Sequence, residues 1–324
     1  MKILIVRFSS IGDIVLTSPV VRCLKNQLPD IEIHFLSKRK FSDTLIGNPY
    51  IDKIWTIEKS TSEKINQLKK ENFDYIIDLH HNLRTLQLKI QLNKKSYSFN
   101  KLNFRKWLKT LFKNISLPDC HIVDRYMKTI EHLGVKNDGA GLDYFIPDNE
   151  KIIPGEFHLL LQKKYIAIVS GGSYFTKQIP INKLREICGM TQQPIVILGG
   201  KQESETGEAL VREFSHVVNA CGKLSLNQSA SLIEQCEWII SSDTGLMHIG
   251  SAFKKKIISI WGNTVPEFGM SPYLPGENSK IIEVKSLSCR PCSKLGFKSC
   301  PKKHFNCMNK IDVRQIFSGN DSAT

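Results

Sequence analysis

Two short polar turns contain the residues with the clearest chemistry in this 324-residue chain. The first turn places Ser9, Ser10, Gly12 and Asp13 between an apolar run at residues 3–6 and a helical pattern. Glycine lets the backbone approach a ligand closely or adopt a positive φ. A carboxylate at the start of a helix is favoured by the helix dipole, and it can also accept a proton in catalysis. The turn therefore predicts either a helix cap or a general base.

The second turn covers residues 242–248, with the sequence SDTGLMH, and it also joins an apolar run to a helix-compatible segment. The first N–H groups of a helix have no partner within the helix, so such a turn suits a phosphate or diphosphate. An ordinary loop in which Asp243 or Thr244 caps the helix is the alternative. His248 lies four positions after Thr244, where it either donates to a phosphate or sugar oxygen or is simply buried.

These turns need elements that position them, and the rest of the chain alternates short β-branched runs with amphipathic stretches. The predicted strands cover residues 2–8, 32–36, 53–57, 75–79, 96–99, 165–169, 195–198, 217–220, 238–241, 256–261 and 280–284. The predicted helices cover residues 14–28, 61–71, 85–92, 123–133, 181–190, 205–214, 226–235 and 244–252.

Alternating strands and helices predict parallel sheets, and the polar stretch at residues 147–155 divides them into two series. Two Rossmann-like domains that face one cleft are the expected architecture. Ligands bind beyond the carboxyl ends of parallel strands, where both special turns lie. Neither half contains the sequence G-x-G-x-x-G or a P-loop, which argues against a dinucleotide oxidoreductase and an NTPase.

The formal net charge of +14 indicates an anionic partner, such as a nucleic acid, an anionic membrane or a phosphorylated substrate. Residues 80–118 contain no Asp or Glu, and aromatic residues are interleaved with their lysines and arginines. Such a segment is expected either to contact a membrane surface or anionic glycolipid, or to be a solvated basic face. We find no targeting segment and no apolar run of about 20 residues, so we expect a cytosolic protein.

Three segments carry a resemblance to a known family: residues 2–13 (KILIVRFSSIGD), residues 242–248, and residues 257–264 (IISIWGNT). In this order and spacing they resemble glycosyltransferase family 9, the heptosyltransferases that assemble the lipopolysaccharide inner core. The resemblance implies a GT-B fold, with an acceptor-binding domain at residues 1–150 and a nucleotide-sugar-binding domain at residues 151–324. It also implies inverting, metal-independent transfer of a heptose from ADP-heptose, with no cofactor and with Asp13 as the general base.

A leaving diphosphate gains charge as its bond breaks, so helix N–H groups and a cation should stabilise it. Lys177 is our candidate cation, although Ile179 stands before Pro180 where the family pattern usually has Trp. The predicted donor site comprises Ser9, Ser10, Gly12, Lys177, Asp243, Thr244, Gly245, Leu246 and His248. For the anionic acceptor, the growing core on lipid A, the candidates are Arg84, Arg105 and Lys106. We expect the enzyme at the cytoplasmic face of the inner membrane, in peripheral contact with it.

A cysteine-rich segment near the C-terminus has the pattern C-x2-C-x7-C-x3-H-x2-C. Its possible ligands are Cys289, Cys292, Cys300, His304 and Cys307. Zinc, a disulfide and an unmetallated loop near the acceptor all fit this pattern, and we expect no metal. The basic residues of this segment, Arg290 among them, favour a position near anionic acceptor groups.

Two alternatives to heptosyl transfer remain at this stage. The first is a GT-B transferase that uses a different nucleotide sugar, since a few pocket contacts decide sugar choice. The second is a basic nucleic-acid-binding protein with a C-terminal zinc module. We favour the transferase and expect no nucleic-acid partner.

Overall fold

A computed structural model describes residues 1–285 and 287–318; residue 286 and residues 319–324, all within the predicted second domain, lie outside this description. The chain forms two compact units. The first unit contains Met1–Leu102 and Cys120–Pro147, and the second contains Asn103–Asp119 and the described residues from Asp148 onward. The predicted division at residue 150 remains a prediction, and the basic segment after residue 102 groups with the second unit.

The first unit is built on a five-stranded parallel sheet. Its strands are β1 (Lys2–Val6), β2 (Glu32–Lys38), β3 (Lys53–Ile57), β4 (Tyr75–Asp78) and β5 (Lys95–Ser98), in the order β3-β2-β1-β4-β5. The central strand has the sequence KILIV, and its Ile3, Leu4 and Ile5 are fully buried. Continuous apolar runs of this kind are typical of parallel strands that are covered on both faces.

The second unit is built on a six-stranded parallel sheet. Its strands are β6 (Ile166–Val169), β7 (Ile195–Leu198), β8 (Val217–Asn219), β9 (Trp238–Ser242), β10 (Lys256–Trp261) and β11 (Lys280–Glu283), in the order β11-β10-β9-β6-β7-β8. Alternate residues of each strand pack into separate apolar clusters. Ile166 and Ile168 belong to one cluster, and Ala167 and Val169 to the other.

Helices connect and cover the strands. In chain order they are α1 (Ile11–Val15), α2 (Ser18–Gln27), α3 (Ile65–Lys70), α4 (Leu83–Leu92), α5 (Asn103–Leu111), α6 (Ile122–Met127), α7 (Pro154–Phe157), α8 (Ile181–Gly189), α9 (Ser204–Glu213), α10 (Leu226–Gln235), α11 (Gly245–Ala252), α12 (Asn306–Asn309) and α13 (Arg314–Phe317). The prediction of one helix over residues 14–28 is wrong, because Thr17 separates α1 from α2. Pro19 lacks an N–H group and fits only near the start of a helix, which is where α2 has it.

Each sheet has one point at which its strand order changes direction. In the first unit this switch point lies between β1 and β4, and in the second between β6 and β9. Loops that leave the two adjacent strands there diverge to opposite sides of the sheet and form a crevice in which ligands bind. The predicted pair of Rossmann-like sheets is confirmed, and each of the two polar turns lies at a switch point.

A buried arginine ties the C-terminal part of the first unit to its N-terminal part. Arg22 of α2 donates to both carboxylate oxygens of Asp138, each at 2.8 Å, and also contacts the carboxylate of Asp143 and the carbonyl of Gly141. These bonds join residues more than 110 positions apart in the chain. In residues 1–285 and 287–318, no helix has the length and apolar character needed to cross a membrane.

Candidate active site

Asp13 is held by two neighbours at the switch point of the first unit. Its Oδ1 lies 2.5 Å from Nη2 of Arg7, and its Oδ2 accepts hydrogen bonds from Oγ and N of Ser10 at 2.7 and 3.2 Å. Ser10 is the N-cap of α1, and Asp13 stands at the third helical position, so their mutual contacts form a capping box. The carboxylate therefore serves as a cap and also has a fixed orientation.

Arg7 connects this turn to the neighbouring strand β4. Its Nε donates to the carbonyl of Ser9 at 2.7 Å, and its Nη1 donates to the carbonyl of Leu79 at 2.6 Å. Burial opposes the charge of Arg7, but Asp13, Tyr126 and Asp78 together more than offset this, so the pKa of Arg7 lies above its ordinary value. Arg7 thus joins the loops that follow β1 and β4.

His80 follows β4 and packs against the ring of Phe8, with 5.0 Å between the ring centroids. Burial and then the positive charge of Arg7 lower the pKa of His80 to about 4. The imidazole is therefore neutral near pH 7. The sequence analysis missed both Arg7 and His80, although each lies directly beside a predicted strand end.

The other predicted residues of the first turn lie near Asp13. Ser9 contributes its carbonyl to Arg7, and Gly12 is buried within α1. Of the two properties that glycine offers here, close backbone approach and a positive φ, the second is not used, since Gly12 has the ordinary conformation of a helix. Donor contacts by Ser9, Ser10 and Gly12 remain a prediction.

A lysine and a carboxylate pair at the switch point of the second unit. Nζ of Lys177 lies 2.5 Å from Oδ2 of Asp243, and both side chains are largely buried. Lys177 comes from the loop after β6, while Asp243 follows β9 directly. Thr264, in the loop after β10, donates from Oγ1 to the same Oδ2 at 3.4 Å. Three strand ends therefore meet at the Asp243 carboxylate.

The helix α11 begins beside this pair. Thr244 is its N-cap and accepts a hydrogen bond from N of Met247 at 3.4 Å, while Gly245 and Leu246 form the first turn. A Cβ at Gly172 would lie 3.5 Å from Cβ of Lys177 and 3.8 Å from Cγ2 of Thr244. The loop after β6 therefore passes close to the helix start.

His248 is buried one turn further along α11. The predicted donor residues of the second unit thus occupy adjoining loops and one helix terminus. Such a terminus provides N–H groups and a partial positive charge for an anion.

Arg290 supports the loop after β10, which carries Thr264, and this role was not predicted from the sequence. Its Nε donates to the carbonyl of Gly262 at 2.6 Å, and its Nη2 contacts the carbonyl of Thr264 at 2.8 Å and Oε2 of Glu283 at 2.6 Å. The side chain is buried. The donors of Arg290 are therefore used within the fold, whereas a position of the basic loop near anionic acceptor groups remains a prediction.

One protein-family model matches most of this chain. The model of glycosyltransferase family 9 (heptosyltransferase) matches residues 63–303. The chain belongs to glycosyltransferase family 9. It is therefore a glycosyltransferase, as the resemblance predicted.

Relatives of known name span nearly the same length. Lipopolysaccharide heptosyltransferase 1 of Campylobacter coli is 24% identical over 290 residues, which cover 82% of this chain and 84% of that protein. Lipooligosaccharide heptosyltransferase 2 of Campylobacter jejuni is 26% identical over 332 residues, which cover 98% and 96%.

A solved family structure has a similar fold. The structure of Escherichia coli heptosyltransferase WaaC with ADP aligns with a TM-score of 0.68 and 20% identity, over 98% of this chain and 99% of that one. This likeness, together with the two parallel-sheet α/β units, confirms the predicted GT-B fold class.

The basic residues predicted to bind the acceptor do not all belong to the same unit. Arg84 is exposed on α4 of the first unit, whereas Arg105 and Lys106 lie on α5, which groups with the second. Nζ of Lys106 donates to the carbonyl of Phe268 at 2.6 Å and lies 5.6 Å from the centroid of its ring. An acceptor contact by these residues remains a prediction.

The cysteine-rich segment contains free thiols. All nine cysteines are unbridged, and among the proposed ligands Sγ of Cys289 lies 3.8 Å from Nε2 of His304. Within the described part of the chain, no three ligand atoms from Cys289, Cys292, Cys300, His304 and Cys307 lie within 4.8 Å of one another. The structure therefore lends no support to the zinc or the disulfide alternative.

A different set of possible ligands, Glu32, His34 and Glu71, does meet this distance criterion. His34 Nε2 contacts Glu32 at 2.7 Å, and its Nδ1 accepts a hydrogen bond from Trp55 at 3.1 Å. Lys2 forms ion pairs with both glutamates. Since both imidazole nitrogens and the carboxylates have protein partners, this group is an ion-pair cluster.

Proposed function

We propose that this enzyme transfers a heptose from ADP-heptose to a lipopolysaccharide core acceptor, with inversion at the anomeric carbon and without a metal. The names of its relatives, which are heptosyltransferases of lipopolysaccharide or lipooligosaccharide, support the substrate class. The similar structure of WaaC was solved with ADP, and this supports the nucleotide. The single observation that carries the mechanism is the oriented carboxylate of Asp13 at the first switch point.

Inversion requires a single displacement. The acceptor hydroxyl forms a new bond to the anomeric carbon as its proton moves to the Asp13 carboxylate. The bond between that carbon and the diphosphate oxygen breaks, and ADP leaves with the electron pair. Proton removal from the acceptor hydroxyl and departure of ADP therefore belong to one step.

The leaving diphosphate needs positive charge, and the second unit offers two sources. The first is the cation at Nζ of Lys177. The second is the N-terminus of α11, where the N–H groups of Gly245 and Leu246 lie in the first turn. Asp243, which would otherwise be the obvious carboxylate for a divalent cation, is paired with Lys177 at 2.5 Å. This pairing favours a mechanism without a metal, in which Asp243 orients the lysine.

The acceptor is a large anionic glycolipid in this proposal. Arg84, Arg105 and Lys106 are the candidate contacts for its acidic groups, and they lie within a stretch of about forty residues that lacks carboxylates. Such an acceptor is anchored in a membrane. We therefore place the enzyme at the cytoplasmic face of the inner membrane, in peripheral contact with it.

Replacing the base tests the mechanism. In Asp13→Asn, we expect transfer to fall about 10²–10⁴-fold, while ADP still raises the melting temperature as in the original enzyme. Asp43→Asn, at an exposed position of the same unit, is the matched control and should retain activity. Near-normal turnover by Asp13→Asn would remove this residue from the mechanism.

The nucleotide is tested separately. Among ADP, UDP and GDP, we expect ADP to stabilise the enzyme most in a thermal shift assay, and mass spectrometry should identify a heptose in the product. Stronger stabilisation by UDP would instead favour a GT-B transferase that uses another nucleotide sugar.

A further inference from the structure

The helix α5 and its flanking residues form a basic surface segment, residues 101–113, that was not predicted as a helix. Between Asp78 and Asp119 the chain contains no acidic residue. Within residues 101–113 it has five basic residues, namely Lys101, Arg105, Lys106, Lys109 and Lys113. Lys101 belongs to the first unit, and the other four basic residues concentrate positive charge on the surface of the second unit.

The apolar residues of this segment share one face of the helix and are not covered. Phe104, Trp107 and Leu111 follow each other at spacings of three and four residues, which places them along one side of α5, and Phe112 directly follows the helix. Their exposed fractions are 70%, 47%, 53% and 61%, and none of the nine residues of α5 is buried. Large apolar patches on a protein surface usually mark a binding site.

Lysines, rather than apolar packing, fix the segment to the rest of its unit. Lys106 bonds to the carbonyl of Phe268, and Nζ of Lys113 bonds to the carbonyl of Pro291, both at 2.6 Å. The aromatic side chains of the segment remain exposed beside these contacts. The protein thus holds a short amphipathic helix in place with its apolar face outward.

We propose that this apolar face binds the surface of an anionic lipid bilayer. Phe104, Trp107, Leu111 and Phe112 would lie at the boundary between headgroups and acyl chains, and the neighbouring Arg105 and Lys109 would contact acidic headgroups. Aromatic side chains prefer this boundary. Charge complementarity selects an anionic bilayer over a protein partner, since residues 101–113 contain five basic residues and no carboxylate. This inference deepens the membrane contact of the proposed function and rests on it.

The tryptophans of the chain provide a direct probe. Of its four tryptophans, Trp55, Trp238 and Trp261 are buried, so Trp107 alone is well exposed to solvent. When vesicles that contain phosphatidylglycerol are added to the full-length enzyme, we expect the fluorescence emission of Trp107 to shift to shorter wavelength. We also expect iodide to quench it less. Vesicles of phosphatidylcholine alone should have a smaller effect, and added salt should weaken the binding.

Variants then locate the surface. Phe104→Ser combined with Leu111→Ser should lower the vesicle partition coefficient about tenfold or more, because two apolar side chains lose their transfer free energy. Both positions are exposed, and an unchanged melting temperature confirms that the variant folds. Ile90→Ser is the matched control, since Ile90 is an exposed apolar residue on α4 of the first unit.

Several results would overturn the inference. One is an enzyme that does not bind phosphatidylglycerol vesicles, and another is binding without any change in Trp107 emission. A third is binding that Ile90→Ser abolishes and the Phe104→Ser, Leu111→Ser variant does not. Transfer from ADP-heptose is measured in parallel without vesicles. An enzyme that transfers heptose and does not bind vesicles contradicts only the membrane surface, whereas one that binds vesicles and uses no ADP-sugar contradicts only the proposed function.

Discussion

Arg7 and Asp13 form a close ion pair at the switch point of the first sheet, with 2.5 Å between Nη2 and Oδ1. The guanidinium also bonds to the carbonyls of Ser9 and Leu79, which follow the two adjacent strands β1 and β4. Arg7 therefore fixes the position of the proposed base relative to the sheet, and we regard it as a positioning residue.

Replacing Arg7 should change the pH dependence of the reaction as well as its rate. In Arg7→Met the carboxylate of Asp13 loses its cation, so the acidic limb of the kcat profile should move to higher pH. Arg7→Lys keeps a positive charge and should leave the limb closer to its original position. A lower rate with an unmoved limb in both variants would mean that Arg7 contributes only to folding.

Lys177 should matter more for the transition state than for the bound substrate. The charge of the diphosphate grows as its bond breaks, so Lys177→Met should lower kcat about 10²–10³-fold and raise KM less. Lys163→Met, at an exposed position of the same unit, is the control. If only KM changes, Lys177 binds the ground state and the transition state equally.

Arg290 should not tolerate replacement by lysine. A lysine cannot supply the planar set of donors that reaches Gly262, Thr264 and Glu283 together. Arg290→Lys should therefore lower both the melting temperature and the affinity for ADP, since Thr264 contacts Asp243. Arg314→Lys is the matched control, because Arg314 is exposed and pairs only locally with Asp312. An Arg290→Lys variant with original stability and ADP affinity would refute this supporting role.

Stability should depend on the protonation of His80. Its pKa is about 4 in the fold against an ordinary value of 6.5, so the folded protein favours the neutral ring. The unfolded chain binds this proton first as pH falls, and the free energy of unfolding should decrease between pH 6.5 and 4, by at most about 3 kcal/mol. His80→Asn should remove this part of the pH dependence in chemical denaturation. Equal slopes for both proteins over this range would contradict the assignment.

The sequence predicted the elements that local patterns specify. Buried strands such as Ile166–Val169 are continuous apolar runs, and turns such as Ser242–Gly245 follow them directly, so their positions were clear. The alternation of strands and helices also predicted parallel sheets, whereas the strand order that creates the switch points came only from the structure. Both the Asp13 turn and the Asp243 turn were therefore assigned to the correct ends of their strands.

Contacts between distant residues could not be predicted in this way. Arg7 bonds to the carbonyl of Leu79 and Arg290 to that of Gly262, and a backbone carbonyl leaves no mark in the sequence. The helix α5 was not predicted, because the segment was interpreted by its charge, either as a surface for a membrane or glycolipid or as a solvated basic face. In each case the missing information is which parts of the chain meet in space.

The Arg22–Asp138 pair should make the first unit sensitive to acid. The hydrogen bonds that Arg22 donates to Asp138 lower the pKa of this carboxyl from 3.8 to about 2. A carboxyl group with a lowered pKa stabilises the fold fully at pH values above its ordinary pKa, and this stabilisation is lost as pH falls from about 4 towards 2.

Arg22→Met should cost about 3–5 kcal/mol at pH 7, because Asp138 and Asp143 would lose their buried partner. In Asp138→Asn, the fall in unfolding free energy over that acidic range should be smaller, as measured by urea denaturation. Lys25→Met is the control, since Lys25 lies on the same helix as Arg22 and forms a more exposed ion pair with Asp52. If Arg22→Met is no less stable than Lys25→Met, Arg22 does not hold the two parts of the unit together.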